Sequence, residues 1–331
     1  MVDRADAPTV TVKYSQKSLF PPPDGCRIIL GDAASVLRGL PSRTFRCCVT
    51  SPPYWGLRDY GIANQIGGEM DLEEYVDNLV RVFKEVRRVL TDDGTLWLNL
   101  GDSYTSGNRT WRDPDKKNPA RAMQYRPPTP RGLKPKDLIG VPWRVAFALQ
   151  ADGWYLRSDI IWHKPNCQPE SVKDRPTRAH EYLFFLSKLE QYYYDHEAIR
   201  EPSSMPGSVR NRRSVWTINT APFPEAHFAT FPPELVQPCI LAGSQPGDLV
   251  LDPFFGSGTV GEVCLGLDRR FVGIEINPEY VAMAKRRLGW DKPPKCHRWS
   301  AIGGCPESCG ARSTCGPGNV REVTTPSPGR V

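Results

Sequence analysis

The chain has 331 residues and a formal net charge of +6, with 39% hydrophobic, 24% charged and 10% aromatic residues; this is a globular composition, long enough for one large α/β domain or two modest ones. It contains no run of about 18 uncharged apolar residues, and Met1 to Tyr14 lacks the basic-then-apolar order of a signal peptide, so a membrane-spanning or secreted protein is disfavoured and a soluble intracellular one expected. The 33 prolines and 28 glycines imply long non-repetitive connections in which much of the function resides.

Residues 1–25 read as an N-terminal extension. Cys26 to Leu30 is a short apolar run ending at Gly31-Asp32, followed by ASVLRGL with helical spacing and by the apolar run FRCCVT, which predicts strand, helix, strand. Tyr75, Leu79, Val82, Phe83, Val86 and Leu90 recur at three-to-four spacing and predict an amphipathic helix, stopped by Asp92-Asp93-Gly94 before the strand TLWLNL. From Tyr104 to Asp137 nine basic residues face three aspartates, so the positive excess is concentrated in one stretch. Pro142 to Asp152 predicts a helix, and WYLRSDIIWHK and HEYLFFLSK predict strands. Between Tyr192 and Pro224 the periodicity fades into polar, proline-rich sequence that reads as loops. Order returns with a helix opened by Pro232-Pro233, the strand DLVLD, the turn FFGSGT, the helix VGEVCLGL, the strand RRFVGIEIN and the helix EYVAMAKRRL. Strands alternating with helices predict a doubly wound parallel sheet with right-handed crossovers.

LVLDPFFGSGTVGEV sets a glycine turn between strand and helix, where bare backbone approaches a ligand and the helix N-terminus offers unpaired N–H groups. Glu275, nineteen residues beyond Gly256 at the end of the next strand, is placed to accept both hydroxyls of a ribose. Gly256, Gly258 and Gly261 satisfy GxGxxG, as a merely tight turn with close helix packing also would. Asp252-Pro253-Phe254-Phe255 ahead of the first glycine disfavours a pyrophosphate and hence a nicotinamide cofactor. A carboxylate there suits a ligand carrying an ammonium and a sulfonium, which describes S-adenosylmethionine.

Thr50-Ser51-Pro52-Pro53-Tyr54-Trp55 follows the strand FRCCVT, at the carboxyl end of the sheet where open α/β folds place their ligands. The two prolines withhold N–H donors, so the turn presents acceptors, the carbonyls and the Ser51 hydroxyl, beside an aromatic face. An amino group conjugated to a ring is a poor nucleophile, and acceptors on both its N–H bonds favour the pyramidal form reached in the transition state.

Together these motifs resemble the amino-methylating DNA methyltransferases of the circularly permuted type, in which the catalytic motif precedes the cofactor motif. VTSPPYW resembles the catalytic motif, LDPFFGSGT the cofactor glycine motif and FVGIEIN the ribose-binding strand, while HFATFPPELVQPCI resembles the segment that closes over the methionine part of the cofactor. The resemblance implies a seven-stranded, mostly parallel Rossmann-like sheet. Ser51, Pro52, Pro53 and Tyr54 are then catalytic, and Asp32, Phe231, Pro232, Asp252, Pro253, Phe254, Gly256, Ser257, Gly258, Thr259 and Glu275 hold S-adenosylmethionine. It divides the chain into a catalytic half at 26–163 with the basic loop 104–137, a target-recognition region with a returning strand at 164–222, a cofactor half at 223–289 and a cysteine-rich tail at 290–331. It implies double-stranded DNA as partner, a base flipped out of the helix, direct methyl transfer without a covalent enzyme intermediate, and a restriction endonuclease as companion in a bacterial cytoplasm, with a phage origin as a further case.

Ser51 in the first position matches the form most associated with N4 of cytosine, with N6 of adenine as the alternative. RNA, a protein amide or an inactive DNA-binding relative are the more distant ones. A cytosine-C5 enzyme would need a nucleophilic cysteine, and neither Cys167 nor Cys239 stands at a strand-end motif. Arg109, Arg112, Lys116, Lys117 and Arg121, interleaved with Trp111, are candidates for phosphate contacts, as are Arg210, Arg212 and Arg213 in the recognition region. Six of the ten cysteines sit in apolar or scattered positions and read as reduced core residues, whereas Cys296, Cys305, Cys309 and Cys315, with His297, cluster in the tail as a candidate structural zinc site whose spacing departs from paired CxxC.

Overall fold

The computed structural model describes residues 22–57, 62, 65–105, 127–205, 207–221 and 231–291. Its strands are β1 (Arg27–Leu30), β2 (Phe45–Thr50), β3 (Leu90–Leu100), β4 (Tyr155–His163), β5 (His180–Ser187), β6 (Glu201–Pro202), β7 (Val209–Arg210), β8 (Val215–Thr217), β9 (Leu249–Asp252) and β10 (Arg270–Glu275). Eight form one sheet in the order β1-β10-β9-β2-β3-β5-β4-β8, and β6 and β7 make a separate two-stranded ribbon. All neighbours in the large sheet run parallel except at β5, which is antiparallel to both β3 and β4.

Side chains alternate across the sheet and feed two cores. Cys48, Leu96, Leu98 and Leu100 point into the layer of α1 (Ala33–Arg38), α2 (Leu72–Val89) and α3 (Val141–Ala151). Cys47, Val49 and Trp97 point into the opposite layer, against α4 (Pro233–Gly243), α5 (Thr259–Gly266) and α6 (Pro278–Arg287). This two-faced burial is what the continuous apolar runs of β2, β3 and β9 require. Helix ends follow local chemistry. Asp71 caps α2 by accepting from Glu73 N at 2.8 Å, with Glu73 and Glu74 in the first turn and Arg87 and Arg88 in the last, each complementing the helix dipole.

Three expectations are corrected. The helix α2 stops at Val89 and β3 starts at Leu90, so Asp92-Asp93-Gly94 lies within an irregular start of the strand, where the pairing with β2 shifts register between Phe45 and Cys47. The sheet has eight strands, not seven, because Val215–Thr217 pairs in parallel with the far side of β4. That strand lies in the segment read as loops, and at three residues it is too short to show a period. Cys26, Cys47, Cys48, Cys239 and Cys264 are buried free thiols, as expected, and Cys167 is half-buried.

Candidate active site

The strands β2 and β9 are neighbours, paired at Cys47↔Val250 and Cys48↔Leu251, and both end at the same edge of the sheet. One residue before the Ser51 turn, Thr50 Oγ1 donates to Asp252 Oδ1 at 2.6 Å, across 202 positions of sequence. The two motif-bearing turns therefore leave adjacent parallel strands side by side, at the point where the chain order of the sheet switches. Asp252 itself is a strut. It is 1% exposed, and its Oδ1 also accepts from Phe254 N at 3.0 Å, so the expectation that its carboxylate faces a cationic ligand gives way to a role in joining the strands. Burial pushes its carboxyl up to about 7.

The glycine turn is built around Phe255, whose ring stacks on Phe271 at 5.3 Å and lies against Gly273, where a Cβ would come within 2.3 Å of it. Gly261 fits under the same two rings, which accounts for the third glycine of the pattern by packing. Gly256 (φ +51°) and Gly258 (φ +87°) adopt left-handed backbone, and a Cβ on Gly256 would meet nothing closer than Phe254 O at 3.9 Å, so the turn is open there. Glu275, 9% exposed, accepts from Gly256 N through Oε2 and from Asn277 N through Oε1, both at 2.8 Å. Burial raises its carboxyl above the usual range in spite of these donors. Each carboxylate oxygen keeps a further lone pair for a ligand. Asp32 stands exposed at the end of the adjoining β1 and caps α1 through Ser35 N at 2.9 Å, and Gly31 N donates to Glu275 O, bringing the two carboxylates to one rim.

Other expected ligand contacts sit differently. The hydroxyls of Ser257 and Thr259 face Arg287 of α6, at 3.1 and 2.9 Å from Nη1, so these residues offer a ligand their backbone rather than their side chains. Pro253 is buried, and half-buried Phe254 leans toward Phe83 of α2 with ring centres 6.4 Å apart. Pro232 is the buried N-cap of α4 and Phe231 packs on the core that contains Phe255.

The Ser51 turn rests on a buried polar network that the sequence motifs do not announce. Tyr54 Oη donates to Glu181 Oε2 at 2.7 Å, Asn99 Nδ2 stands 2.8 Å from Tyr54 Oη and 3.0 Å from Glu181 Oε2, and Lys164 Nζ pairs with Glu181 Oε1. Ser51 Oγ lies 3.4 Å from both Tyr54 Oη and Asn99 Nδ2. Burial opposes the charge on Glu181, yet Lys164 and the donors from Tyr54 and Asn99 outweigh it and hold the carboxyl below the usual range. Burial and the Glu181 charge push the Tyr54 phenol well up, so it stays a donor. Its ring covers Gly101, where a Cβ would come 2.5 Å from Cε2. The Pro53 carbonyl is taken by Tyr75 Oη at 2.9 Å, which leaves fewer acceptors in the turn than its composition implies. Asn99, Glu181 and Lys164 were missed as site residues. The available signal was a lone Asn and a lone Glu at the ends of otherwise apolar strands.

A cleft of about 240 Å³ opens beside the turn between Trp55–Leu57, Asp102–Thr105 and Pro127–Pro130, with Arg178 on its wall. The basic stretch is rooted here: Thr105 N donates to Asp137 O at 2.9 Å and Tyr104 bridges Leu138. Arg109, Arg112, Lys116, Lys117 and Arg121 lie outside the described residues, as do Cys296, Cys305, Cys309, Cys315 and His297. Among the described residues no group of three or more His, Cys, Asp or Glu is arranged to hold a metal. Arg210 and Arg213 both bond Glu201, and the Arg212 guanidinium lies 4.5 Å over the Trp216 ring, so these three are engaged within the chain rather than presented to a phosphate. Cys239 is fully buried in α4, its thiol pushed well up by burial and bonded to Leu235 O, which removes it as a nucleophile.

A family model described as a DNA methylase, that of the N6/N4 methyltransferases, matches residues 45–286. The chain belongs to the N6/N4 DNA methylase family. This methylase is 68% identical over 265 residues to the Type II methyltransferase M.Cfr9I of Citrobacter freundii, an alignment covering 80% of this chain and 88% of the relative. To the Type II methyltransferase M.SmaI of Serratia marcescens it is 66% identical, over 80% of this chain and 90% of that one. Among solved structures it is similar to the PvuII DNA methyltransferase (cytosine-N4-specific), with a TM-score of 0.60 at 22% identity over 81% and 86% of the two chains, a likeness of fold. It is also similar to a DNA modification methylase of Thermus thermophilus, solved with S-adenosyl-L-methionine, with a TM-score of 0.54 at 26% identity over 80% and 93%.

Proposed function

We propose that this DNA methylase transfers a methyl group from S-adenosylmethionine to N4 of a cytosine flipped out of double-stranded DNA, in the permuted arrangement with the Ser-Pro-Pro-Tyr turn as its catalytic motif. The observation that carries the reading is the Thr50–Asp252 bond, which joins the acceptor-rich turn to the glycine turn across adjacent strands. The residues present fit the cofactor: Gly256 is open, Glu275 keeps lone pairs for two ribose hydroxyls beneath it, and Asp32 stands on the same rim for the adenine side. Backbone at Gly256–Thr259 and the segment at Phe231-Pro232 complete the set of groups that would hold it. Bound there, S-adenosylmethionine supplies an electrophilic methyl group.

The chain's own part is to seat the base and hold its amino hydrogens. A stacked, paired base cannot reach this edge of the sheet, so the base must leave the helix. Ser51 Oγ is the acceptor nearest the turn, and the serine at this position favours cytosine over adenine. Arg109, Arg112, Lys116, Lys117 and Arg121 extend from a root beside the cleft and are proposed to grip phosphates; Arg131 within the same stretch is exposed. The likeness to Type II enzymes supports a role as the modification partner of a restriction endonuclease that reads the same site.

The test incubates the full-length protein with methyl-labelled cofactor and duplex DNA and then analyses the nucleosides by mass spectrometry. N4-methylcytosine is expected, together with its loss in Ser51→Ala. N6-methyladenine would move the assignment to adenine, and label in RNA or protein but not in duplex DNA would overturn it. A second expectation concerns the packing of Tyr54. Gly101→Ala puts a methyl group inside the ring's contact distance and displaces the turn, so kcat is expected to fall about tenfold or more with the cofactor Kd unchanged, as single-turnover kinetics and calorimetry would show.

A further inference from the structure

We propose that Asn99 is a catalytic residue whose Oδ1 accepts one hydrogen of the target amino group alongside Ser51, and that Glu181 and Lys164 are positioning residues that hold its amide the right way round. The proposal rests on the methyltransferase reading above and deepens it.

Asn99 is 2% exposed, on the second-last position of β3. The chemistry of its neighbours dictates its orientation. Glu181, paired with Lys164, is an ionised carboxylate that can only accept, and it already takes the Tyr54 proton on Oε2. The Asn99 atom 3.0 Å from that same oxygen must therefore be the donor Nδ2, because a flipped amide would press oxygen on oxygen. Tyr54 Oη, its proton given to Glu181, faces Nδ2 as an acceptor at 2.8 Å. The consequence falls on the other end of the amide: Asn99 Oδ1 is a buried acceptor that has no partner among the described residues. Buried carbonyl oxygens are rarely left so, and one kept in a site marks where a ligand brings a donor.

An exocyclic amino group is a ligand of that kind, with two hydrogens in one plane. Two acceptors that serve both hydrogens stand about 5 Å apart. With Nδ2 3.4 Å from Ser51 Oγ, and amide N and O about 2.2 Å apart, Oδ1 lies within about 6 Å of Ser51 Oγ, in range for the pair. As the amino nitrogen forms its bond to the methyl carbon and the donor's carbon–sulfur bond breaks, one N–H proton is released. An amide accepts the hydrogen bond but does not take that proton, which leaves through the Ser51 hydroxyl or directly to solvent. Two acceptors also reject a base with oxygen in place of the amino group, since oxygen would then face oxygen.

The experiment uses full-length protein at the site located by nucleoside analysis. Binding is measured to duplexes carrying either the amino base or its oxo analogue at the target, uracil for cytosine or hypoxanthine for adenine, in the presence of S-adenosylhomocysteine. Wild type is expected to prefer the amino base about tenfold or more. Asn99→Ala is expected to reduce the preference below about threefold and kcat by about 100-fold while the cofactor Kd stays within about twofold. A retained preference and a kcat within about threefold would overturn the proposal.

Should Asn99→Ala fail to fold, Asn99→Asp decides. It sets a second carboxylate against Glu181, so its kcat is expected to fall with rising pH relative to wild type. The double variant Asn99→Asp, Glu181→Gln, with one carboxylate again, is expected to lose that extra fall. Parallel profiles for wild type and Asn99→Asp would sink the assignment. If wild type itself methylates no duplex, the methyltransferase reading fails instead, so the two failures are told apart.

Discussion

Replacing Glu275 with alanine is expected to weaken S-adenosylmethionine binding by about two orders of magnitude. The carboxylate does two things at once: it pins Gly256 N at 2.8 Å, and it is the group under the open turn with lone pairs to spare for two hydroxyls. Hydrogen bonds to a charged acceptor contribute about 1.5 to 3 kcal/mol each, so losing the equivalent of two gives about 3 kcal/mol or more. Calorimetric titration of the variant with the cofactor measures this directly, and DNA binding at low salt serves as the control for folding. A change of less than about fivefold would remove Glu275 from the cofactor site. Because burial raises this carboxyl, the ionised acceptor is complete only at higher pH than for an ordinary glutamate. Cofactor affinity in wild type is therefore expected to decline earlier on acidification than a normal carboxylate would allow, and that decline is expected to be absent in the variant.

Asp252→Asn is expected to stabilise the fold at alkaline pH and to leave it nearly unchanged at about pH 4. Buried at 1% exposure, Asp252 titrates at about 7 in the folded protein against 3.8 for the free group. Below the lower value the carboxyl is protonated in both states and its contribution is fully present. As pH rises the unfolded chain releases its proton first, so stability falls until the folded carboxyl ionises too, and above about 7 the loss is complete. The span corresponds to about 4 kcal/mol. Asparagine removes the titration while its Oδ1 still accepts from Thr50 and Phe254, so thermal melts of the two proteins are expected to diverge steadily between those two pH values. Superimposable pH profiles would show that Asp252 ionises normally in the fold.

Local pattern made the framework readable. Alternation in β2 and β3, the three-to-four spacing of α2 and the glycine turn between strand and helix are all short-range signals, and each marks the element found. What stayed hidden depends on which strand lies beside which. The antiparallel insertion of β5 between β3 and β4 sets Asn99 opposite Leu183, and with it brings Glu181 to the Tyr54 hydroxyl. A run such as HEYLFFLS reads the same whichever direction it pairs. Charge misled for a related reason. Arg210 and Arg213 look like phosphate ligands in a polar loop, but their shared partner, Glu201, is brought to them by the short ribbon of β6 and β7. In the same way Ser257 and Thr259 suit a ligand by type, and only the packing of α6 against their turn shows Arg287 holding their hydroxyls.

The seam between β2 and β9 also governs how the molecule is made. During synthesis β2 leaves the ribosome some 200 residues before its neighbour. Until then the growing polypeptide carries an open flank in the middle of its future sheet, with apolar Cys47, Cys48 and Val49 awaiting cover. Contacts so distant along the chain form slowly, and the unfinished edge is the most aggregation-prone surface of the nascent protein. Any chain halted before Asp252 lacks the half that completes the pocket, so translation delivers catalytic competence all at once, near its end.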